Sequence, residues 1–196
     1  RRPPFGHKAK SAHDMGREFR ILNQLNDGFP YCPKAYVHCT DESVIGAEFY
    51  VMERVNGIIL RSEIPAELNL DAGQTRKLCE SFIDKMVELH NVDYEACGLG
   101  DLGKPEGYVS RQINGWADRY EKALTPDAPH WEPVKAWLRE KMPADHPKPA
   151  IVHNDYRFDN VILDPKNPMN IIGVLDWELT TIGDPLMDLG NTLAYW

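Results

Sequence analysis

The 196-residue chain has little of what marks a disulfide-rich, membrane-spanning or polyanion-binding protein. Its four cysteines show no C-x-x-C spacing, so the sequence predicts neither a zinc site nor a disulfide framework, and free thiols in a reducing cytosol fit better. No apolar run approaches the roughly 18 residues that a membrane helix needs. The formal net charge is −8 and Lys and Arg are not clustered, which argues against nucleic acid or an anionic membrane as partner. We therefore expect a cytoplasmic globular protein.

The two ends of the chain also lack expected features. The sequence opens on RRPPFG without a Met, and it closes on MDLGNTLAYW, an apolar pattern at helical spacing that stops midway. We therefore expect a fragment, and nothing in its pattern indicates an oligomeric state. The length is still sufficient to bury a core, either as one domain or as two small lobes that share an interface.

An amphipathic stretch, SAHDMGREFRILNQL, is the first clear element. Ser11 is a candidate N-cap, and apolar residues follow at helical spacing: Met15, Phe19, Leu22 and Leu25. A rotation of 100° per residue places Glu18 on the side of this helix that faces the core. A carboxylate in that position is costly unless it is paired.

Strands are predicted at residues 35–40 and 47–55, and the Asn56-Gly57 step ends the second. From there to residue 150 the pattern indicates helices and loops. We therefore expect a boundary near residue 56, which divides the chain into a strand-and-helix part, 1–55, and a mostly helical part, 56–196.

Three helices are predicted in the second part. Asp71 and Gln74 resemble a capping box that opens a helix ending near His90. The tryptophans of the next two helices lie at helical or near-helical intervals, which favours a place in the core: Trp116, Trp131 and Trp137.

The densest group of polar side chains lies in IVHNDYRFDNVILD. It holds His153, Asp155 and, five residues beyond that Asp, Asn160; a predicted hairpin then carries Asp176 at its far end. Phosphoryl transfer from ATP needs a carboxylate that accepts the acceptor hydroxyl's proton, and hard oxygen ligands for Mg²⁺. A loop before a hairpin can hold the base and one ligand, while the hairpin returns the second ligand beside them. Any one of these residues would be a weak signal, but together they predict catalysis.

The same residues match the H-x-D-x-x-x-x-N loop and later metal-binding Asp of protein kinases and their small-molecule relatives. With IGVLDWE and GDPLMDLG, the chain resembles the aminoglycoside phosphotransferase-like family along essentially its whole length. The resemblance implies an α+β, bilobal protein-kinase-like fold, with a small strand-rich N-terminal lobe and a larger helical C-terminal lobe containing the hairpin. It also implies ATP and Mg²⁺ as cofactors and a small-molecule hydroxyl as phosphate acceptor.

The resemblance also implies roles for the loop residues. Asp155 would be the catalytic base, and Asn160 and Asp176 would be the Mg²⁺ ligands. His153 would brace the loop. Arg157 stands where such loops often carry a cation against the transferring phosphate.

VMERVNG resembles the hinge that holds adenine between the two lobes. By position, Glu53 would offer its carbonyl and Val55 its amide and carbonyl, while Met52 would line the pocket. The glycine-rich loop that covers the phosphates in this family is absent from the sequence, which we attribute to truncation.

In the family a helix carboxylate, here Glu18, pairs with a basic residue that holds the α- and β-phosphates. That residue should be Arg1, with Arg2 the other candidate. Arg in place of the usual Lys keeps the charge but has a different geometry. Nucleotide affinity is therefore the property that this departure puts in question.

Trp177 and Glu178 replace the Phe-Gly that follows the metal-binding Asp in protein kinases, which argues against a protein substrate. The acidic chain suits cationic acceptors such as amino sugars or amino alcohols. The wording of RRPPFGHKAKSAHDMGREFRIL and LDWELTTIGDPLMDLG, however, resembles the branch associated with acyl-CoA dehydrogenases, which implies hydroxyacyl-CoA thioesters. Asp184 and Asp188 are predicted to open a helix and secure the catalytic loop, and Asp159 is predicted to be a turn residue.

Two other functions compete with this interpretation. The first is a degenerate kinase fold that binds nucleotide, or nothing, and has a regulatory role; the Arg in place of Lys motivates it. The second is a metal-dependent hydrolase that uses His153 and Asp155 as ligands, although the chain lacks a second histidine motif.

Overall fold

The computed structural model describes residues 1–4, 13–61 and 63–195. Helices and short strands are mixed along the chain, so the architecture is α+β. The helices are α1 (Met15–Leu25), α2 (Ala72–His90), α3 (Tyr108–Ala123), α4 (Glu132–Glu140) and α5 (Pro185–Leu193). The strands are β1 (Ala35–Cys39), β2 (Phe49–Met52), β3 (Ala150–Val152), β4 (Val161–Leu163), β5 (Ile171–Val174) and β6 (Thr181–Gly183).

In the described ranges the strands form three two-stranded antiparallel sheets: β1 with β2, β3 with β6 and β4 with β5. Single-turn 3-10 helices lie at Ala66–Leu68, Phe158–Asn160 and Trp177–Leu179. None of the helices described is long and apolar enough to cross a membrane.

Helix α1 begins later than the sequence predicts. Its N-cap is Asp14, whose side chain accepts a hydrogen bond of 2.8 Å from the Arg17 backbone N–H. The predicted cap, Ser11, lies outside the described residues. The orientation of the helix agrees with the prediction, since Glu18 is only 1% exposed on the buried side.

Strand β2 is shorter than predicted, because it ends at Met52. The next residue, Glu53, donates its backbone N–H to the Lys34 carbonyl at 2.8 Å, and the chain then leaves the sheet. On its other side β2 pairs with an extended segment at the start of the chain, where Arg1 and Tyr50 exchange two main-chain hydrogen bonds of 2.7 and 3.0 Å.

Gly57 marks the point where the chain crosses the β4–β5 hairpin. The next residue, Ile58, exchanges main-chain hydrogen bonds with Leu163 at 2.9 and 2.8 Å. A Cβ on Gly57 would lie 2.3 Å from Ile162 Cγ2 and 2.5 Å from the Leu163 carbonyl oxygen. Only a residue without a side chain fits this close approach, so Gly57 is required where the chain meets the hairpin, beyond the end of β2 at Met52.

Helix α2 agrees with the sequence at both ends. The reciprocal capping box of Asp71 and Gln74 is present, and the helix ends at His90. Its buried face is the predicted one: Leu78, Phe82, Met86 and Leu89. In the core this face meets Tyr156, whose ring centroid lies 4.4 Å from that of Phe82.

The predicted core position of the tryptophans is wrong. Trp116, Trp131 and Trp137 are 62%, 55% and 58% exposed. Helices α3 and α4 line an open apolar groove with Trp116, Trp131, Val134 and neighbouring side chains. Helical periodicity identifies an apolar stripe, but it does not identify the surface that covers it.

Candidate active site

The β4–β5 hairpin places the loop polar groups and Asp176 at one end. Val161 pairs with Val174, and the backbone N–H of Leu175 donates to the Asn160 carbonyl at 2.8 Å. Asn160 is the residue before β4, and Asp176 follows Leu175. Both side chains line a pocket of about 210 Å³ that also contains Arg1, Glu18 and Met52.

Asp155 is held by its neighbours in the loop. Its Oδ2 accepts a hydrogen bond of 2.8 Å from Asn160 Nδ2, and its Oδ1 lies 3.3 Å from Arg157 Nε. Burial raises the pKa of Asp155, although the charge of Arg157 and the Asn160 hydrogen bond oppose this rise. The Asp155 side chain is 19% exposed. It is therefore a carboxylate of increased proton affinity that a second molecule can still reach.

His153 lies beneath this loop and is fully buried. Its Nε2 lies 2.9 Å from the Leu175 carbonyl, and the Asp155 backbone N–H donates to its Nδ1 at 3.3 Å. These partners assign the proton to Nε2. Burial also lowers the pKa of His153, which favours the neutral ring. Because both ring nitrogens are engaged, the hydrolase hypothesis has no free nitrogen on His153 for a metal.

Asp188 of α5 holds the loop through hydrogen bonds to its backbone, as the sequence predicts. Its Oδ2 accepts from the His153 backbone N–H at 2.9 Å, and its Oδ1 accepts from that of Asn154 at 2.8 Å. The sequence did not predict a third contact, 3.0 Å between His90 Nε2 and Asp188 Oδ2. Burial raises the pKa of Asp188, but the His90 hydrogen bond, His153 and the backbone donor outweigh burial and lower it overall. Asp184 is the N-cap of α5, also as predicted.

Arg157 lies between two carboxylates of the loop. Besides Asp155, its Nε is 2.9 Å from Asp159 Oδ1, and its guanidinium carbon lies 5.0 Å from the centre of the Tyr195 ring. Asp159 is therefore more than the predicted turn residue, because it pairs with Arg157. The symmetric spacing of the two Asp around Arg157 was the signal that could have shown this.

Asn160 and Asp176 offer oxygen atoms toward the pocket. Asn160 Nδ2 donates to the carbonyl and the carboxylate of Asp155, which leaves Asn160 Oδ1 without a partner in the described part of the chain. Asp176 adopts a left-handed conformation with φ of 69°, which is uncommon outside glycine and, for Asp, occurs in turns and helix caps as well as at active sites. A carboxylate and an amide oxygen are ligands that Mg²⁺ prefers. These residues fit the metal that the fold family implies.

Arg1 is the basic residue that pairs with Glu18. Its Nη1 lies 2.8 Å from Glu18 Oε1 and 2.6 Å from Asp176 Oδ1. Burial raises the pKa of Glu18 despite this partner. For Arg1, burial lowers the pKa and the charges of Glu18 and Asp176 more than reverse this effect, so its pKa is raised. The guanidinium is thus a permanent cation at the pocket wall.

The predicted hinge reaches this pocket through one side chain. Met52 lines it, and the Glu53 backbone N–H is taken by Lys34. The Glu53 carbonyl and both main-chain groups of Val55 have no hydrogen-bond partner among the residues described. Main-chain groups without internal partners are available to a ligand or to water.

A second, larger pocket of about 600 Å³ is lined by Arg157, Phe158 and Asp159 of the same loop. It shares Arg61 and Asp159 with the first pocket. Most of its wall is apolar, and its charged groups are two arginines and two carboxylates. These residues include Leu60, Ile64, Leu78, Phe158, Tyr195, Arg61, Arg157, Glu63 and Asp159.

The fold, together with the arrangement of side chains around the hairpin, is that of the protein-kinase-like phosphotransferases. The profile of the phosphotransferase enzyme family matches residues 1–196, and the chain belongs to that family. A protein of Ralstonia eutropha JMP134, solved as a candidate aminoglycoside phosphotransferase, is 36% identical, with a TM-score of 0.82 over 94% of this chain and 56% of that one. An aminoglycoside phosphotransferase of Streptomyces rimosus, in complex with ADP and streptomycin, has a TM-score of 0.59 at 21% identity, covering 91% of this chain and 65% of that one.

Among curated proteins the chain is similar to acyl-CoA dehydrogenase family members. It is 36% identical to human acyl-CoA dehydrogenase family member 11 over 198 residues, which is 100% of this chain and 25% of that protein. It is also 36% identical to mouse family member 10, over 100% of this chain and 18% of that protein. The chain thus spans a quarter or less of these relatives. The resemblance predicted from the sequence, including its acyl-CoA dehydrogenase-associated branch, is confirmed, and so is the kinase-like α+β fold.

Proposed function

We propose that this chain forms the catalytic part of an ATP- and Mg²⁺-dependent phosphotransferase that transfers the γ-phosphate to a hydroxyl of a small molecule. The observation that carries the proposal is the convergence of Asp155, Asn160 and Asp176 at one end of the β4–β5 hairpin, beside the Arg1–Glu18 pair. The division into lobes 1–55 and 56–196 belongs to the same proposal and stays a prediction.

Each residue has a distinct part in this reaction. Asp155 orients the acceptor hydroxyl and accepts its proton, and the raised pKa of this carboxyl favours that transfer. Asn160 and Asp176 hold Mg²⁺, which neutralises phosphate charge when bound. Arg157 and Arg1 offset the negative charge that develops on the transferring group and on the remaining phosphates.

The nucleotide lies between the hinge and the hairpin in this proposal. The Glu53 carbonyl and the Val55 amide and carbonyl bind adenine, with Met52 against its ring. Their lack of internal partners supports this assignment. His153 touches no ligand and acts by holding the Asp155 backbone.

The second pocket favours one class of acceptor. Its wall is mostly apolar, which suits an acyl chain, whereas a polyhydroxylated amino sugar would lose hydration there without gaining enough hydrogen bonds. Arg157 pairs with Asp159 and is assigned to the transferring phosphate, so Arg61 is the second cation at this wall and can attract an anionic group of the acceptor. We therefore propose a hydroxyacyl-CoA or a similar hydroxylated acyl compound, in agreement with the curated relatives, rather than an amino sugar or amino alcohol.

The alternative is a degenerate, regulatory kinase fold. The contact of 2.6 Å between Arg1 Nη1 and Asp176 Oδ1 favours it, because this cation lies on a carboxylate that should ligate the metal. The intact set of Asp155, Asn160 and Asp176 favours catalysis instead.

The test is ATP consumption by the full-length protein with hydroxyacyl-CoAs, amino sugars and amino alcohols. We expect turnover with a hydroxyacyl-CoA, and a loss of about 10²-fold or more in Asp155→Asn, since a general base contributes about 10²- to 10⁴-fold. Asp176→Asn should lose Mg²⁺-dependent turnover. The exposed Asp84→Asn is the matched control and should keep wild-type activity. Nucleotide binding without turnover on any acceptor would support the degenerate alternative, and full activity of Asp155→Asn would contradict the mechanism.

A further inference from the structure

Arg1 is held by carboxylates from two separate parts of the chain. Through Nη1 it contacts Glu18 of α1 and Asp176, at 2.8 and 2.6 Å. Through Nη2 it contacts Oε2 of Glu178 at 2.8 Å. Because the two terminal nitrogens have different partners, the orientation of the planar guanidinium is fixed, and not only its position.

Glu178 is itself anchored to the start of α1. His13 Nδ1 lies 2.7 Å from the Glu178 carboxylate. Arg17 donates one hydrogen bond of 3.0 Å to the Glu178 carbonyl and another to the Thr180 carbonyl. The Glu178 side chain is only 21% exposed, so water screens its contact with Arg1 weakly. Glu178 is thus a fixed support rather than a mobile surface charge.

This clamp suits arginine and not lysine. A guanidinium presents five donors in a rigid fork, whereas an ammonium has a single nitrogen and no plane to orient. The chain departs from the protein-kinase pattern at Arg1, in place of Lys, and at Glu178, in place of the Gly after the metal-binding Asp. These two departures meet in one ion pair, although 177 residues separate them.

We infer that Glu178 is a positioning residue, which orients the Arg1 guanidinium so that its remaining donors face the nucleotide phosphates. This inference rests on the proposed function, because it assumes that Arg1 binds phosphate. It predicts that Glu178 contributes to nucleotide binding only when position 1 is arginine.

The test is a double-mutant cycle on nucleotide binding, with Arg1→Lys, Glu178→Gln and the double variant in the full-length protein. The dissociation constant of ADP is measured calorimetrically in EDTA, so that no metal contributes. We expect Glu178→Gln to weaken ADP binding about tenfold when Arg1 is intact, which is about 1.4 kcal/mol, and less than about twofold in the Arg1→Lys background. Glu48→Gln is the control, since Glu48 pairs with His38 at 2.7 Å away from the pocket.

Thermal unfolding without nucleotide separates positioning from general stability. Glu178→Gln should unfold within a few degrees of the control, and Glu178→Asp should recover part of the ADP affinity. An equal loss of affinity in the arginine and lysine backgrounds would overturn the inference alone, because Glu178 would then act independently of Arg1. Failure of the wild-type protein to bind ADP in EDTA would overturn this inference, and failure to bind it with Mg²⁺ as well would overturn the proposed function too.

Discussion

Replacing Asp188 by Asn tests how the loop that carries His153 and Asp155 is supported. The side chain is fully buried and accepts three hydrogen bonds, from the backbone N–H groups of His153 and Asn154 and from His90. Asn has nearly the same shape but only one acceptor oxygen. In either amide orientation its NH₂ group faces at least one N–H donor, and the negative charge is lost.

The expected loss of unfolding free energy follows from these contacts. A hydrogen bond to a charged group contributes about 1.5–3 kcal/mol, and an unpaired buried donor costs about 1–3 kcal/mol more. We therefore expect Asp188→Asn to lose about 3–5 kcal/mol at pH 7, similar to the breaking of a buried ion pair. This is a large part of the roughly 5–15 kcal/mol of a typical domain.

Urea unfolding followed by tryptophan fluorescence measures this loss, with the exposed Asp84→Asn as control. The pKa of Asp188 is lowered in the fold, so its stabilisation is complete above the unfolded value of about 3.9 and is lost as the pH falls through the folded value. The difference in unfolding free energy between wild type and Asp188→Asn should therefore become smaller at acidic pH. A loss below about 1 kcal/mol at pH 7 would refute the reasoning, because the three hydrogen bonds would then contribute almost nothing.

Two further predictions concern stability. Gly57→Ala should destabilise the protein by about 1–3 kcal/mol in urea unfolding, because its Cβ would clash with Ile162. Gly115→Ala on α3 is the control: its added Cβ would meet no atom within 4 Å, so this variant should be more stable than wild type by roughly 0.5–1 kcal/mol. Equal changes in the unfolding free energy of the two variants would contradict this. The pKa of His153 is lowered in the fold, so its contribution to the unfolding free energy is complete above about pH 6.5 and is lost as the pH falls toward the pKa of the folded state. From pH 7 to 5 the unfolding free energy should therefore fall less steeply in His153→Gln than in wild type. The exposed His130→Gln is the control and should keep the wild-type slope.

Local patterns predicted local structure well. The capping box of Asp71 and Gln74 specifies the start of α2 through hydrogen bonds within one turn, and four apolar residues specify its buried face. The β4–β5 hairpin also depends on residues close in sequence, so its return of Asp176 to the side of Asn160 could be predicted from spacing alone.

Contacts between distant segments could not be predicted in the same way. The pairing of β3 with β6 was missed, because each strand has only three residues and chooses its partner through packing of the surrounding elements. The exposure of Trp116 has the same origin, since a stripe at helical spacing is equally compatible with a buried face and with an open groove.

By itself the sequence determined the α+β class, the helix α2 and the convergence of loop and hairpin, since these depend on hydrogen bonds and periodicity over short separations. The tertiary structure decided which groups meet across long separations. The pairing of Arg1 with Glu18 was expected from the family resemblance, but the structure showed that Arg1 also lies against Asp176 and Glu178. The reason is physical. A buried charge needs a partner, because leaving it unpaired is costly, but this requirement does not specify where in the chain the partner lies.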